Sequence, residues 1–571
     1  MEKLARKKAS GNTGQQSASA NSTALLKTLF ELSEDQILDK ILEQDNPRQT
    51  VQQMPQEDFY WLVKKVGEDD CLPMLKISSD DQRQYLFDLE FWKKDRMDLE
   101  KTSTWFGRLH MVDPKGLVKW LFSKGETHAY YYLFKNIQVE IKDEDEDRYF
   151  EEDFFTLDDI FYVRILEEKR RETIENILRT MAGFDLDRYQ ILLSTLAGVI
   201  PTEMEEEMYR LRNIRLAEHG FLPPEEALAV YAPLDPDALS VEVHAADAKI
   251  AFDEEIRELV PISPFYHAQR KNILTKTFSK INDNVFRDGI RLEFAGLCNQ
   301  ILSADGILAN ELDSLIRTCR KAARHLNLAL EKLCGTDISL AEELLKNNSL
   351  VSIFRVGFGL VLGLKWETNR WLKNSWFYGQ GLGFSFWGDR WGETLSGIME
   401  NKPRLYTGFE EEEEFRNFEQ LSELDDCRRL IYRLKALDRI LGRLTELYPL
   451  DKSVLEHPQL TIHQCLFNLW ARLTLNLKPG FSSMSTDQAK EFFSHLRTGE
   501  KAPPFRMSGF EEVFLNFYKA YASDFDPESE ATLNDTLSLI WHEFAEEYEW
   551  VATGDLEGRF TKFIATDSAI S

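Results

Sequence analysis

From Leu25 to about Asn136, apolar residues recur at helical spacing in short runs, and each run is opened by its own start signal. The starts read MPQEDFYWLV (54–63), VGEDDCLPML (66–75), SSDDQRQYLF (78–87), VDPKGLVKWL (112–121) and KGETHAYYYL (124–133). In each, a Pro, Gly, Ser or Asp precedes a polar or acidic first turn, where the positive end of the helix dipole favours acids and proline lacks only an N–H that has no partner anyway. Helices this short do not hold alone and must stack on neighbours. The pattern therefore predicts a curved, irregular stacked-helix array over 23–139, preceded by a disordered tail at 1–22.

Acids outnumber the two bases Lys142 and Arg148 between Glu140 and Asp159, which reads as an exposed connector. The stretch FFTLDDIFYVRIL (154–166) is rich in β-branched and aromatic residues and predicts the chain's one small strand or hairpin. A helix is expected from about Leu166 to Met181. PTEMEEEMYRLRNIRLAEHG (201–220) predicts another, with Thr202 and Glu205 as a capping box and Gly220 as the stop. The connector, hairpin and helices make a segment 140–240, with a boundary in DPDALSVEVHAADAKIAFDEE (235–255). Beyond it lie a helical lobe at 241–400 and a C-terminal one at 401–571, with breaks near Gly306, Gly335, 402–408, 477–485, 499–508 and 524–528. The fold class is mainly α.

Composition sharpens this. The 571 residues are 43% hydrophobic and 12% aromatic, enough for several packed cores. A net charge of −28 repels nucleic-acid phosphates and anionic lipid, and no basic stripe offsets it. Cys71, Cys298, Cys319, Cys334, Cys427 and Cys465 form no CxxC pair and fall in apolar runs, so buried reduced thiols are expected. No secretory h-region opens the chain, and LVSIFRVGFGLVLGL (350–364) is short for a membrane span and carries Arg355. Its Gly359 and Gly363 are read as packing positions. The expectation is a cytoplasmic protein with no membrane insertion.

Three stretches together resemble a bacterial family of uncharacterised proteins, a domain-of-unknown-function family, over nearly the whole chain. They are 60–98 (YWLVKKVG…DRMD), 210–236 (RLRNIRLAEHGFLPPEEALAVYAPLDP) and 350–364. That resemblance implies no activity. The Met54-Pro55-Gln56-Glu57-Asp58 and Ser79-Asp80 starts are also similar to units of the cytosolic helical domain of MgtE-type magnesium transporters, which implies an acidic superhelix that senses magnesium.

Candidate chemistry is sparse. WFYGQGLGFSFWGDRWGE (376–393) supplies GxGxG at Gly379, Gly381 and Gly383, but Phe384 stands where a dinucleotide loop needs its last glycine, and no GK[ST] follows. Five tryptophans between Trp366 and Trp391 point to an aromatic packing knot. An Asp389–Arg390 salt bridge is expected to close it. Trp376, Tyr378, Trp387, Asp389, Arg390 and Trp391 are the candidate partner or ligand surface. WHEFAEEYEW (541–550) has Glu546 where a zincin has its second histidine, so it reads as a solvated acidic face. EEEEE (410–414), DEDED (143–147) and LSADGILANELDSL (302–315) lack a Ca²⁺ loop's spacing. DLEFWKKDRMD, with Asp88, Glu90, Trp92, Asp95, Arg96 and Asp98, reads as a polar network between stacked helices. No catalytic residue or cofactor is assigned. Polar chemistry is expected on the exterior, with rings and small residues serving cohesion. The leading reading is a scaffold whose concave helical surface binds another protein. The alternatives are an enzyme with a site assembled from distant residues, metal-dependent or not, and a regulator responsive to divalent cations.

Overall fold

The computed structural model describes residues 24–142, 153–198, 203–239, 260–268, 271–307, 309, 311–408, 413–448, 450, 452–455, 460–497, 502–557 and 561–567. The tail 1–22, DEDED, Thr202, most of the 235–255 boundary and most of EEEEE lie outside them. The protein is mainly α, with three small antiparallel sheets among the described residues. It divides into two compact units. The first runs to Leu326 and takes in Leu333–Arg355; the second comprises Asn327–Lys332 and the chain from Val356.

In the first unit all five sequence starts open helices: Gln56–Val66, Leu72–Ile77, Asp80–Glu90, Pro114–Leu121 and Glu126–Asn136. Ser79 and Gln82 form a capping box at the third of these. Gln82 also reaches back, donating from Nε2 to the carbonyls of Val51 (2.7 Å) and Met54 (2.9 Å), so one side chain both starts its helix and ties it to the turn before Gln56–Val66. Between them runs Leu99–Val112, capped by Asp98, whose Phe106 meets Phe91, Trp120 and Tyr132 edge to face. His128 is sealed beside Phe91 and Trp120 in the same aromatic cluster.

The hairpin expected at 154–166 is present as Phe154–Thr156 and Phe161–Ile165, turned by Asp158, which accepts from the Ile160 and Phe161 amides. A third strand, Ile137–Ile141, pairs with Phe161–Ile165 on its other side. The following helix starts later than expected, at Arg171, and runs to Phe184. Met204–Glu218 and the long helices Asn284–Asp305 and Leu312–Cys334 complete the part that matters below. Gly306 ends the first long helix in the left-handed region at φ 64°.

In the second unit, Leu421–Leu447 packs along Pro527–Tyr548. Phe467, Trp470, Phe514, Trp541 and Phe544 form a continuous ring-on-ring core beside them. The 376–393 segment follows a helix rather than a strand, and Phe377, Phe386 and Trp387 are fully buried in that core. Buried Asp438 accepts from the Trp376 and Phe377 amides and anchors the turn. Gly392 lies where a Cβ would sit 2.5 Å from the Phe384 carbonyl oxygen, so the backbones meet only because it is glycine. At Gly363, by contrast, a Cβ would meet nothing within 4 Å, so no close packing explains that glycine.

All six cysteines are free and buried, as their apolar settings imply. Among the described residues no single helix is long and apolar enough to cross a membrane.

Two stability predictions follow from this packing. Gly392→Ala should destabilise by about 1–3 kcal/mol through the forced backbone clash. Gly363→Ala, in an open helical position, should be neutral or stabilise by up to about 1 kcal/mol. Denaturant midpoints of the two variants check both signs. Burial, with the Arg215 charge adding to it, pushes the His128 imidazole down to about 3 from 6.5. An unfolded chain therefore takes up a proton that the folded one refuses, and stability falls by up to about 1.4 kcal/mol per pH unit as the pH drops below 6.5. His128→Phe should flatten that acid limb in urea titrations from pH 6.5 to 4.5; an unchanged slope rejects the assignment.

Candidate functional site

The acidic first turn of Gln56–Val66 is favoured by the helix dipole, but its two carboxylates do not face water. Asp58 is fully buried and accepts from the Ile262 amide, the Ser263 amide and the Ser263 hydroxyl at 2.7–3.0 Å. Burial pushes its carboxyl up to about 6 even against those hydrogen bonds. Glu57 is also buried, and its Oε1 lies 2.6 Å from His219 Nδ1.

His219 sits at the C-terminal end of Met204–Glu218, where Gly220 stops the helix at φ 87°. A Cβ on Gly220 would come within 2.6 Å of the Gly296 Cα, so the chain passes directly against Asn284–Asp305 at this point. Asn299 of that helix donates to the His219 carbonyl at 2.8 Å. The Tyr85 ring stands 4.6 Å from the imidazole. Three separate helices thus fix one histidine. Burial alone would lower its pKa; the hydrogen bond and charge of Glu57, with Glu218 and Asp88, outweigh that and hold it above the ordinary value.

The same helix face continues into an ion-pair network. Arg215 grips buried Asp88 with two bonds of 2.7 Å, and Arg212 donates from Nε to the Asp88 carbonyl at 2.6 Å. Burial still raises the Asp88 carboxyl despite these partners. Glu90, also buried, accepts from Lys64 at 3.1 Å and from the Tyr60 hydroxyl at 2.7 Å. The network expected within DLEFWKKDRMD is therefore real at Asp88 and Glu90, while Asp95 in the turn and Arg96 in the second strand of a small hairpin are exposed. The expectation that polar chemistry stays on the exterior fails here: Glu57, Asp58, Asp88 and Glu90 are all buried. Each survives because donors from other helices meet it.

Beside His219 opens a cavity of about 470 Å³. Glu57, Glu218, His219, Asp283 and Glu293 supply its polar groups, Phe286, Ile290 and Leu292 of Asn284–Asp305 much of its apolar wall, and Ala217, Gly289 and Gly296 the room. Nδ1 of His219 is held by Glu57, and Nε2 has no hydrogen-bond partner among the described residues. A histidine so placed can donate to or accept from a bound molecule. No group of three metal-ligating side chains occurs among the described residues.

The residues singled out in the sequence lie in the second unit. Trp387 is buried, Trp376 and Trp391 are half-buried, and Tyr378, Asp389 and Arg390 are exposed. No ion pair joins Asp389 to Arg390 among the described residues. Trp391 stands 5.9 Å from the ring of buried His463, which lies 3.8 Å from Glu543. His542, by contrast, is exposed and bonds its own helix at Ser538. Sequence reasoning passed over Glu57, Asp58, Arg215 and His219 as site residues. A usable signal was present: Arg212, Arg215 and His219 recur three and four apart on one helix face, a stripe of cations in an acidic chain.

The chain matches, over residues 15–567, a group described as a family of unknown function, DUF6178. The chain belongs to this family. No curated protein and no solved structure matches it. Family membership thus spans the stretches at 60–98 and 210–236, which supply the cavity's histidine and the network around it.

Arg215→Met should cost about 3 kcal/mol, because it leaves the Asp88 carboxylate buried without its main partner. The double variant Asp88→Asn/Arg215→Met should recover most of that loss. Urea denaturation of the three proteins tests this, and equal losses in the single and double variants would remove the pairing from the argument.

Proposed function

We propose that the protein is a binding protein whose first unit holds a small organic molecule in the cavity between the end of Met204–Glu218 and the helix Asn284–Asp305. The observation that carries this reading is the His219–Glu57 pair: Glu57 holds Nδ1 of a histidine that lines a mostly apolar cavity. Apolar walls with few fixed polar groups are the usual make-up of small-molecule sites. No Ser, Thr, Cys or Lys accompanies the histidine in the lining, which favours recognition over catalysis by a histidine-activated hydroxyl, thiol or amine.

A protein-partner role for the second unit draws support from Tyr378, 61% exposed in a segment whose other rings are buried or half-buried, and from exposed Asp389 and Arg390 further along it. It has less behind it than the cavity, because the exposed Tyr378, Asp389 and Arg390 lie outside the cavity lining and no ion pair joins Asp389 to Arg390 among the described residues.

Ala217 lines the cavity from an exposed position, so Ala217→Trp fills it without entering the core. Ligand-observed NMR with a fragment library of amines, carboxylates and neutral molecules should give hits on the wild-type protein that vanish in Ala217→Trp. An absence of hits, or hits that persist in the filled variant, overturns the reading.

A further inference from the structure

The charge around the cavity narrows what it takes. Glu57, Glu218, Asp283 and Glu293 all line it, and no lysine or arginine does. Glu218 at its edge is exposed, Asp283 caps the helix Asn284–Asp305, and Glu293 accepts from the Leu350 amide at 3.0 Å. The cations of that helix, Arg287 and Arg291, bond Asn284 and Asp288 outside the lining, and Lys346 pairs with Glu342 while standing 5.6 Å over the Phe286 ring. The negative end of the Met204–Glu218 dipole also points to this region, since His219 is the residue at which that helix stops. The N-terminus of Asn284–Asp305, which also borders the cavity, carries the opposite dipole end, but Asp283 caps it with a carboxylate. With four carboxylates and no lysine or arginine in the lining, the balance of charge favours a cation over an anion.

Resting on the cavity reading above, we propose that the ligand is an organic ammonium with an apolar body, whose N–H donates to Nε2 of a neutral His219 while its hydrocarbon part lies along Phe286, Ile290 and Leu292. The protonation logic follows from the pair itself. With Nδ1–H donated to Glu57, neutral His219 offers Nε2 as an acceptor; protonated, it offers only a second N–H and a positive charge, which repels the ammonium. Glu57, Glu218 and Asp88 favour the protonated ring, and Tyr85 covers one side of it without charge. Binding an ammonium therefore expels the imidazole proton, and affinity must rise with pH through the titration of His219, by up to tenfold per unit. The alkylammonium itself stays charged throughout that range.

Three matched probes test this on the full-length protein at constant ionic strength: 2-phenylethylammonium, 3-phenylpropanoate and 2-phenylethanol, with dissociation constants read by ligand-observed NMR from pH 6 to pH 8.5. The ammonium should bind at least tenfold more tightly than the carboxylate at pH 8.5, weaken several-fold toward pH 6, and be lost in Ala217→Trp. His219→Gln, which keeps a hydrogen-bonding amide but cannot titrate, should retain the preference for the ammonium and lose its pH dependence. If the alcohol or the carboxylate binds as tightly as the ammonium and is displaced by Ala217→Trp, the cavity reading stands and the ammonium assignment falls. If the pH response survives in His219→Gln, the proton coupling is wrong. If none of the three binds, the ammonium assignment falls, and the fragment library decides separately whether the cavity binds anything.

Discussion

A carboxylate taken out of water has to be met by donors, and the first unit is organised around meeting four of them. Asp58 is met by the chain returning at Ile262 and Ser263, Glu57 by His219, Asp88 by Arg215, and Glu90 by Lys64 and Tyr60. These contacts join helices far apart in sequence. Each is also directional, so together they fix the relative placement of Gln56–Val66, Asp80–Glu90 and Met204–Glu218 more tightly than apolar packing of such short helices would.

The cavity follows from this arrangement. Gly220 and Gly296 let two backbones touch, which seats His219 beside the long helix, and the small residues next to that contact leave space that no side chain fills. Polar support at His219 and the open space beside it separate this place from buried His128 and His463. His128 and His463 are packed among rings and pushed toward neutrality by burial, each with a ring nitrogen that has no hydrogen-bond partner among the described residues. His219 has its charge state poised by Glu57 and faces a volume that a molecule can enter.

The second unit is held together differently. Its cohesion is aromatic, with Phe467 stacked on Phe514 and Phe544 and crossed by Phe563, and the glycine-rich 376–393 segment adds Phe377, Phe386 and Trp387 to the same core. There Gly392 serves close approach against the Phe384 carbonyl, and Gly381, at φ 74°, takes a left-handed turn that glycine favours. The GxGxG spacing at Gly379, Gly381 and Gly383 follows a helix, which is not the strand-to-helix setting of a dinucleotide loop.

The amino-acid sequence by itself determined the helical class, the five N-terminal starts, the hairpin at 154–166, the helix stop at Gly306 and the inert, buried cysteines, because dipoles, caps, turns and apolar periodicity act over a few residues. Only the tertiary structure decided which acids are buried. An Asp or Glu in a first helical turn carries the same local signature whether it faces solvent, as Asp80 does, or is sealed, as Asp58 is. Glu57 and its histidine are 162 positions apart, and the third strand, Ile137–Ile141, is separated from the hairpin it joins by an acidic stretch. Local preference cannot see such partners, since the energy that selects them arises only once desolvation and a distant donor coincide.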